Sequence, residues 1–543
     1  MKPKGVFLVW TLALLACEPP PTYDLLIKNA MLYDGTGAQP LRGHLAVQGD
    51  TIVAMGKFRA RGKVEVDARG AALAPGFINM LSWADNTLLK DGRSLSDVKQ
   101  GVTLEVMGEG WSPGPRKPKP NDTLWTTLGG YFDYLQQRGV SVNYASFVGA
   151  TTVRDYVIGR EQRPPTPNEL QAMQALVADA MREGAMGLSS SLIYAPADFA
   201  DTDELIALSK VAAAHGGIYA SHLRSESDKI YTGLAEFFRI AREANIAAEI
   251  YHLKINHARN WNKIDTVLAK IDSARATGLQ VTANMYTYAA SATGMLARVP
   301  TWVQAGGAAA MRKRLKNPRI RQRVLDELRR GIPTKNSDPK DVLVLAFRKD
   351  SLNRLYRGKR LDEIARLHGK NSDETMLDLL VADKWNIPCI YFLISEQNLQ
   401  RMLRQPYVSL CSDAYSIAAE GAYLNDLTHP RAYGSFARFL AKYVREEKLM
   451  PLPEAVRRLT GLPAANLKLQ KRGLLKPGFF ADLVLFDPAT IQDHATFENA
   501  HQYATGVSHV WVNGVAVLWE GEHTHQFPGR PVYGPGYVPA QSD

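Results

Sequence analysis

Two hydrophobic patterns divide the chain. Through its middle, short apolar runs recur, and each is followed by a stretch in which apolar positions have helical spacing. Near-continuous apolar runs that alternate with helices are typical of parallel strands covered by helices. Eight such runs lie at 74–81, 103–108, 143–149, 185–191, 217–223, 247–253, 280–286 and 407–413. Eight repeats predict an α/β fold, the closed (β/α)8 TIM-like barrel.

The two ends of the chain carry short β-rich runs separated by turns. They predict one small composite β-sandwich domain from both termini, with a first part at 24–70 and a second part at 466–543 that includes the C-terminal tail. The barrel then occupies 71–465. About 120 residues separate the seventh and eighth runs, which is too long for a single helical connection. A helical lid insertion at about 287–345 is therefore predicted over the barrel mouth.

The first residues have the pattern of a targeting segment. Lys2 and Lys4 precede an apolar stretch at 5–15, which is much shorter than the roughly 20 residues of a membrane-spanning helix. The stretch predicts a signal peptide at 1–16. Residues 14–17 look like a bacterial lipobox, so we expect a lipid on Cys17, a tether at 17–23, and an exported lipoprotein of the cell envelope that faces the periplasm or the exterior. The alternative is a plain signal peptide cleaved nearby.

The composition is that of a globular protein. Apolar residues make up 45% of the chain and charged residues 22%, which excludes intrinsic disorder. The formal charge of +11 has its densest cluster between Arg312 and Arg330, where apolar positions predict an amphipathic helix with a solvated basic face. No aromatic run accompanies it, so no nucleic-acid partner is predicted. Cys389 and Cys411 lie in apolar contexts and are expected to be buried free thiols.

Four chemically active side chains follow predicted strands. The fifth run ends at His222 and the sixth at His252, Glu109 follows the second, and Asp413 ends the eighth. In such barrels the carboxyl ends of the strands meet at one mouth. A lone buried histidine is usually structural, but two histidines and a carboxylate with an open position make a catalytic zinc site, and the second carboxylate can then act as a base.

The chain also resembles a known family. It is similar to the D-aminoacylase (N-acyl-D-amino-acid deacylase) family of the amidohydrolase superfamily over about 23–535. The pieces that carry the resemblance are 74–78, 100–103, 184–189, 192–194, 221–224, 252–254, 412–413, 429–434 and 472–478. The resemblance implies the barrel, the composite β-domain and the lid insertion.

The resemblance also implies roles for individual residues. Zinc would be held by His222, His252 and a strand-two ligand, usually cysteine, whose position Glu109 occupies. A carboxylate is a competent zinc ligand. Asp413 would be the general base that takes a proton from the attacking water and delivers it to the leaving nitrogen. The positions that hold the substrate and its carboxylate are matched by Tyr194, Lys254 and Arg431.

One departure from the family concerns the metals. The family ends its first strand with a His-x-His pair, whereas this chain has Leu81 and Trp83 at those positions, and it has 149–151 as Gly-Ala-Thr where a strand-three histidine is common. Neither leucine nor tryptophan binds a metal. We therefore expect one zinc per chain, on Glu109, His222 and His252, which is sufficient to activate water and polarise a carbonyl.

The function predicted from these features is zinc-dependent hydrolysis of the amide bond in a small N-acylated amino acid, with a membrane contact only through Cys17. A dipeptidase or cyclic-amide hydrolase on the same fold is the first alternative. A catalytically degenerate binding protein is the second, because a fold does not determine a function. The retention of Asp413 with both histidines argues against that last alternative.

Overall fold

The computed structural model describes residues 21–118, 124–331, 337–384 and 386–539. The predicted signal peptide at 1–16 and Cys17 lie outside these ranges. Within them, we find no helix with the length and apolar character needed to cross a membrane.

The strands of the described ranges are, in chain order, β1 (Thr22–Leu32), β2 (Leu41–Gln48), β3 (Thr51–Gly56), β4 (Arg61–Asp67), β5 (Ala72–Pro75), β6 (Phe77–Asn79), β7 (Val102–Met107), β8 (Asn143–Ser146), β9 (Val148–Gly149), β10 (Gly187–Ser191), β11 (Ile218–His222), β12 (Ala248–Ile250), β13 (Val281–Met285), β14 (Ser291–Gly294), β15 (Val342–Val344), β16 (Pro388–Tyr391), β17 (Val408–Leu410), β18 (Leu483–Phe486), β19 (Val507–Val512), β20 (Val515–Trp519) and β21 (Glu522–His523).

The α-helices of the same ranges are α1 (Leu95–Val98), α2 (Leu128–Arg138), α3 (Ala150–Val157), α4 (Pro167–Arg182), α5 (Thr202–Ala214), α6 (Ile230–Glu243), α7 (Ile264–Ala276), α8 (Thr301–Gln304), α9 (Gly307–Lys316), α10 (Pro318–Arg329), α11 (Asp350–Tyr356), α12 (Leu361–His368), α13 (Ser372–Asp383), α14 (Glu396–Leu403), α15 (Arg431–Arg438), α16 (Leu452–Leu459) and α17 (Gly461–Asn466). A π-helical segment, Phe439–Glu446, continues α15.

The barrel predicted from the eight apolar runs is confirmed. Strands β6, β7 and β8 pair in parallel, and β9, β10, β11, β12, β13 and β17 pair in parallel as a second group. The backbone N–H of Met80 donates to the carbonyl of Leu410 at 3.3 Å, and that of Met186 donates to Ser146 at 2.9 Å. These bonds join the two groups at both edges, so the strands enclose one apolar core that the surrounding helices cover.

The first barrel run, predicted at 74–81, divides into two strands. Strand β5 pairs with β1 and β18 in the terminal sheet, whereas β6 pairs with β7 in the barrel. Gly76 separates them, and a Cβ at this position would lie 2.1 Å from Oγ1 of Thr103. The chain therefore passes from one sheet to the other where only glycine has room. The first part of the β-domain consequently extends to Pro75, beyond the predicted 70.

Both ends of the chain build the second domain, as predicted. Its strands form one continuous hydrogen-bonded sheet in the order β21-β20-β19-β18-β5-β1-β2-β3, with β4 also paired to β1. This sheet wraps around its own core, which includes Leu25, Leu45 and Trp511. The tail beyond β21 returns to the barrel, where the N–H of Val532 donates to the carbonyl of Tyr144 at 2.8 Å. It therefore lies near the amino ends of the barrel strands.

The insertion between the seventh and eighth barrel strands is longer than predicted. Strands β14, β16 and β15 form an antiparallel sheet, and they pack with the helices between them on a separate core that includes Met295, Leu380 and Cys389. The insertion therefore runs from β14 to Tyr391 rather than ending at about 345. The basic segment forms two amphipathic helices, α9 and α10, because Pro318 begins a new helix that the Asn317 side chain caps.

The two cysteines within the described ranges are buried and free. Cys389 lies in β16 of the insertion, and Cys411 directly follows β17. The prediction for both is confirmed.

Candidate active site

Glu109 is placed by a tight turn after β7. It lies between Gly108 and Gly110, whose φ angles are 101° and 67°, a backbone region that favours glycine. A Cβ at position 110 would also lie 2.2 Å from Oγ of Ser191. The two glycines thus let the chain turn sharply at the strand end and bring the Glu109 carboxylate over the barrel mouth.

His252 and Asp413 lie just beyond the ends of β12 and β17 and also have positive φ angles, 35° and 50°. A residue other than glycine seldom adopts this conformation, and it clusters at functional sites. His222 is the last residue of β11 and is 2% exposed. The imidazole rings of His222 and His252 lie 4.5 Å apart at 83°.

The three predicted metal ligands come together. One ligand atom from each of Glu109, His222 and His252 lies within 4.8 Å of the others. The Nε2 of His252 is 3.1 Å from Oε1 of Glu109, and these two side chains are 2% and 5% exposed. Two imidazoles and one carboxylate are a donor set that zinc accepts, with a position left for water or substrate. The residues present therefore fit the predicted metal.

The electrostatics of this group favour a positive charge. Burial would raise the pKa of Glu109, but the hydrogen bond from His252 and the charges of His252, His222 and Lys254 outweigh it and lower that pKa. Burial and Lys254 would lower the pKa of His252, whereas carboxylates around it, including Asp413 and Glu109, raise it to about 8. Carboxylates that stabilise a proton in this way also stabilise a bound cation.

The predicted base lies beside the predicted carboxylate-binding arginine. Asp413 accepts a hydrogen bond from Arg431 through Oδ2 at 2.5 Å, and its Oδ1 has no hydrogen-bond partner among the described residues. Burial raises the pKa of Asp413, although Arg431 opposes the shift. A raised pKa makes a carboxylate a stronger base near neutral pH. The geometry thus leaves one oxygen of Asp413 available to take a proton.

The positions of the missing histidine pair contain no metal ligand. Leu81 is fully buried. The indole Nε1–H of Trp83 donates to Oε2 of Glu109 at 3.0 Å, and its ring contacts that of Tyr415 with centroids 5.6 Å apart. One oxygen of Glu109 therefore faces His252 while the other accepts a hydrogen bond from Trp83.

Known proteins match most of this chain. The model of the amidohydrolase family matches residues 64–518. The chain belongs to the amidohydrolase family. A D-aminoacylase of Alcaligenes xylosoxydans xylosoxydans is 34% identical, covering 94% of this chain and 97% of the relative.

Two solved structures agree with this amidohydrolase over 94% of its length and 100% of theirs. One is the N-acyl-D-glutamate deacylase of Bordetella bronchiseptica complexed with zinc and a phosphonate inhibitor, at 28% identity and a TM-score of 0.79. The other is a D-aminoacylase studied for one-metal activation and second-metal attenuation, at 32% identity and a TM-score of 0.78.

A cavity of about 540 Å³ opens from the mouth of the amidohydrolase barrel toward the insertion. Glu109, Asp413 and Arg431 line its barrel side, and Ala308, Met311 and Leu380 line its insertion side. A site between a barrel mouth and an overlying insertion is a usual place for a small ligand.

The three residues predicted to hold the substrate are placed differently. Tyr194 and Arg431 line the cavity, and the Tyr194 hydroxyl is 2.8 Å from that of Thr293 in the insertion. Lys254 is 3% exposed, is not among the residues that line the cavity, and forms an ion pair with Glu226 at 2.7 Å. Its ammonium group therefore faces a carboxylate of this chain.

Sequence reasoning missed three residues of the site. Glu226 touches both the His252 ring and Lys254. The aromatic ring of Tyr286 packs against the Arg431 guanidinium, whose central carbon lies 4.6 Å from the ring centre. His429 accepts a hydrogen bond from the Arg431 backbone N–H at 3.0 Å. Tyr286 ends the seventh apolar run, so its position could have been read from the sequence, whereas Glu226 lies in a loop that has no such signal.

Proposed function

We propose that this amidohydrolase hydrolyses the amide bond of N-acyl amino acids, with N-acyl-D-amino acids as the first candidates. One observation carries the proposal: ligand atoms of Glu109, His222 and His252 converge within 4.8 Å, and Glu109 lines a cavity together with Asp413 and Arg431. The similarity to a D-aminoacylase and to an N-acyl-D-glutamate deacylase supports this substrate class.

The roles of the residues follow from their contacts. Glu109, His222 and His252 would hold a divalent metal, which would supply Lewis-acid chemistry to the scissile carbonyl and the attacking water. Asp413 takes a proton through Oδ1 and returns it to the leaving nitrogen. Arg431 donates to Asp413 through one nitrogen and also lines the cavity. Its guanidinium suits the substrate carboxylate, since a guanidinium binds carboxylates through several N–H groups.

We further propose one metal per chain. Leu81 and Trp83 supply no ligand, and the Trp83 indole N–H already occupies Oε2 of Glu109 as a hydrogen-bond donor. In the solved D-aminoacylase one metal activates and a second attenuates, so a one-metal enzyme is consistent with that chemistry. A Leu81→His/Trp83→His variant should bind a second zinc by metal analysis, whereas wild type should bind one. A wild type with two would contradict the proposal.

A substrate panel with zinc-loaded protein tests the activity. We expect hydrolysis of N-acyl-D-amino acids, and the panel includes N-acyl-L-amino acids, dipeptides and cyclic imides. Hydrolysis confined to the last two classes would replace the deacylase proposal with the dipeptidase or cyclic-amide alternative. No hydrolysis of any amide by zinc-loaded protein would favour the binding-protein alternative.

The charges of the cavity favour a substrate with a second anionic group. Arg160, Arg312 and Lys384 line it, whereas the carboxylates among its described lining residues are Glu109 and Asp413. Glu109 already pairs with the His252 ring, and Asp413 already pairs with Arg431. We therefore expect N-acyl derivatives of acidic amino acids to be preferred over neutral ones.

Substitution of one cavity cation tests this preference. A partly exposed charge pair contributes up to about 1 kcal/mol, so Arg312→Met should lower kcat/KM for an acidic substrate by about fivefold relative to a neutral one. Lys313 is the exposed neighbour on the same helix, and Lys313→Met is the matched control, expected to leave the ratio unchanged. Equal effects of both variants would contradict the preference.

We also propose that the chain is exported and anchored through a lipid on Cys17. The lipobox-like sequence supports this, as does the burial of the two cysteines within the described ranges. Expression in a bacterium with an alkyne-labelled fatty acid should label the wild type and place it in the membrane fraction. Cys17→Ser should lose both label and membrane association, and a labelled Cys17→Ser variant would contradict the anchor.

A further inference from the structure

His429 lies just before α15, between the barrel and the insertion. It is 3% exposed and lines the cavity. Its Nδ1 accepts the backbone N–H of Arg431 at 3.0 Å, and its Nε2 lies 3.0 Å from the carbonyl oxygen of Ala290. We infer that His429 is a positioning residue: its ring fixes the start of α15 against the insertion and thereby holds the Arg431 guanidinium where the substrate carboxylate binds. The inference rests on the proposed function, in which Arg431 binds that carboxylate.

The two ring nitrogens of His429 have different roles. A backbone N–H is only a donor, so Nδ1 accepts and carries no proton. A carbonyl oxygen is only an acceptor, so Nε2 carries the single proton of the neutral ring and donates it to Ala290. Burial and the charge of Arg431 hold the pKa of His429 well below its usual range, which agrees with a neutral ring. One tautomer therefore satisfies both bonds.

The bond at Nδ1 fixes the main chain from which the Arg431 side chain projects. Arg431 is the first residue of α15, and the first N–H groups of a helix have no partner within the helix. His429 supplies acceptors for two of them, Nδ1 for Arg431 and its backbone carbonyl for Ala432 at 3.2 Å. Arg431 is buried, so removal of the ring would leave its N–H without an acceptor, which is costly for a buried donor.

The same ring supports the side chain of Arg431. It contacts the ring of Tyr286, with centroids 6.2 Å apart, and the Arg431 guanidinium packs on that Tyr286 ring. Two further rings contact His429, that of Tyr288 at 5.7 Å and that of Phe497, from the second part of the β-domain, at 5.2 Å. A displaced His429 would therefore disturb the surface on which the guanidinium rests.

The bond at Nε2 links this arrangement to the insertion. Ala290 is buried and directly precedes β14. In that strand the hydroxyl of Thr293 meets the hydroxyl of Tyr194, which lines the cavity. One ring thus holds both the helix that carries Arg431 and the strand with which the insertion begins.

Steady-state kinetics of the zinc-loaded full chain with two matched substrates test the inference. The substrates are N-acetyl-D-glutamate and its α-carboxamide, which differ only in the group that Arg431 would bind. His429→Leu removes both ring bonds and should lower kcat/KM for the acid by about tenfold relative to the carboxamide, because a buried donor loses its partner beside the binding group. A merely structural role would lower kcat/KM for both substrates alike.

Two polar variants separate the ring bonds. His429→Asn should retain the wild-type selectivity, because an asparagine side chain can accept the backbone N–H two residues further along the chain. His429→Gln can donate to Ala290 but has no acceptor at the position of Nδ1. It should show the loss expected of His429→Leu, and it replaces that variant if His429→Leu fails to fold. His509 of β19 is also buried and does not line the cavity, so His509→Leu is the matched control and should leave the selectivity unchanged.

The outcomes separate this inference from the proposed function. Wild-type selectivity in a folded His429→Gln would overturn the inference, as would equal losses for both substrates or a loss in His429→Asn as large as in His429→Gln. If wild type hydrolyses neither substrate, the proposed function fails, and the same comparison is made with dissociation constants from calorimetry. A preference of wild type for the acid that His429→Gln loses would then support the positioning role, whereas a wild type without that preference would overturn it.

Discussion

At the scale of residues, the proposed chemistry depends most on the carboxylate of Asp413. Its Oδ1 has no hydrogen-bond partner among the described residues, and its Oδ2 is held by Arg431. An amide in its place keeps the shape but cannot take a proton. Asp413→Asn should therefore lower kcat by about 10²- to 10⁴-fold, the usual contribution of general-base catalysis, with the zinc content unchanged.

The matched control is Asp133→Asn, because Asp133 is exposed on α2. It should keep wild-type turnover. Steady-state kinetics and metal analysis of both variants check the prediction, and unchanged turnover in Asp413→Asn would remove Asp413 as the base.

The site was largely predictable at this scale because its residues lie at strand ends. The apolar runs locate those ends, and the barrel brings them to one mouth, so Glu109, His222, His252 and Asp413 were found from the sequence. Glu226 was not, since a loop residue gives no indication of where its side chain points. That Lys254 holds the substrate stays a prediction. In the structure Lys254 pairs with Glu226, which lies in that loop.

At the scale of elements, the insertion is joined to the barrel mouth by a hydrogen bond between Tyr194 and Thr293 of β14. A hydrogen bond contributes about 1 kcal/mol, so Tyr194→Phe and Thr293→Val should each raise KM by about fivefold. Because both remove the same contact, the double variant should be no worse than either single variant. Michaelis–Menten kinetics of the three variants provide the measurement.

Additive effects would contradict a shared contact. If only Tyr194→Phe raises KM, its hydroxyl acts on the substrate directly, as the sequence comparison with the family implies. The control is Thr277→Val, since the Thr277 hydroxyl bonds within the end of α7, away from the residues that line the cavity.

The elements of the barrel were predicted better than those of the insertion. An apolar run indicates a strand, but it does not say which strand is its partner. Strand β16 was not predicted, and it pairs with β14 and β15 inside the insertion rather than with the barrel. For the same reason the run at 74–81 was taken as one strand, although its first part pairs with β18, about 400 residues away in sequence.

At the scale of the whole molecule, a buried carboxyl group couples stability to pH. Glu249 of β12 is fully buried and accepts hydrogen bonds from Asn284 at 3.0 Å and Asn466 at 3.2 Å. Burial raises the pKa of Glu249 to about 7 from its ordinary value of 4.5, although these hydrogen bonds oppose the shift. In the folded state it is therefore protonated over a range in which the unfolded chain has lost that proton.

The sign of the effect follows from proton linkage. Between pH 4.5 and about 7 the folded state binds more protons than the unfolded state at this residue, so its contribution to stability falls as pH rises and is constant above that window. Across this window the contribution of Glu249 to the free energy of unfolding falls by about 3 kcal/mol. Glu249→Gln should remove the part of the pH dependence of stability that comes from this carboxyl group. Urea unfolding from pH 4 to pH 8 measures it, and equal pH slopes in wild type and variant would contradict the assignment.

The molecule brings together a β-domain from both termini, a barrel with a metal-binding donor set, and an insertion that lines the cavity. We propose that one zinc on Glu109, His222 and His252 is enough to make this amidohydrolase active. A titration of metal-free protein with zero to two equivalents of zinc, followed by turnover of an N-acyl-D-amino acid, tests it most directly. Turnover should rise to a break at one equivalent and then stay level; no turnover at any zinc level, or a rise that continues to two equivalents, would contradict a single activating zinc.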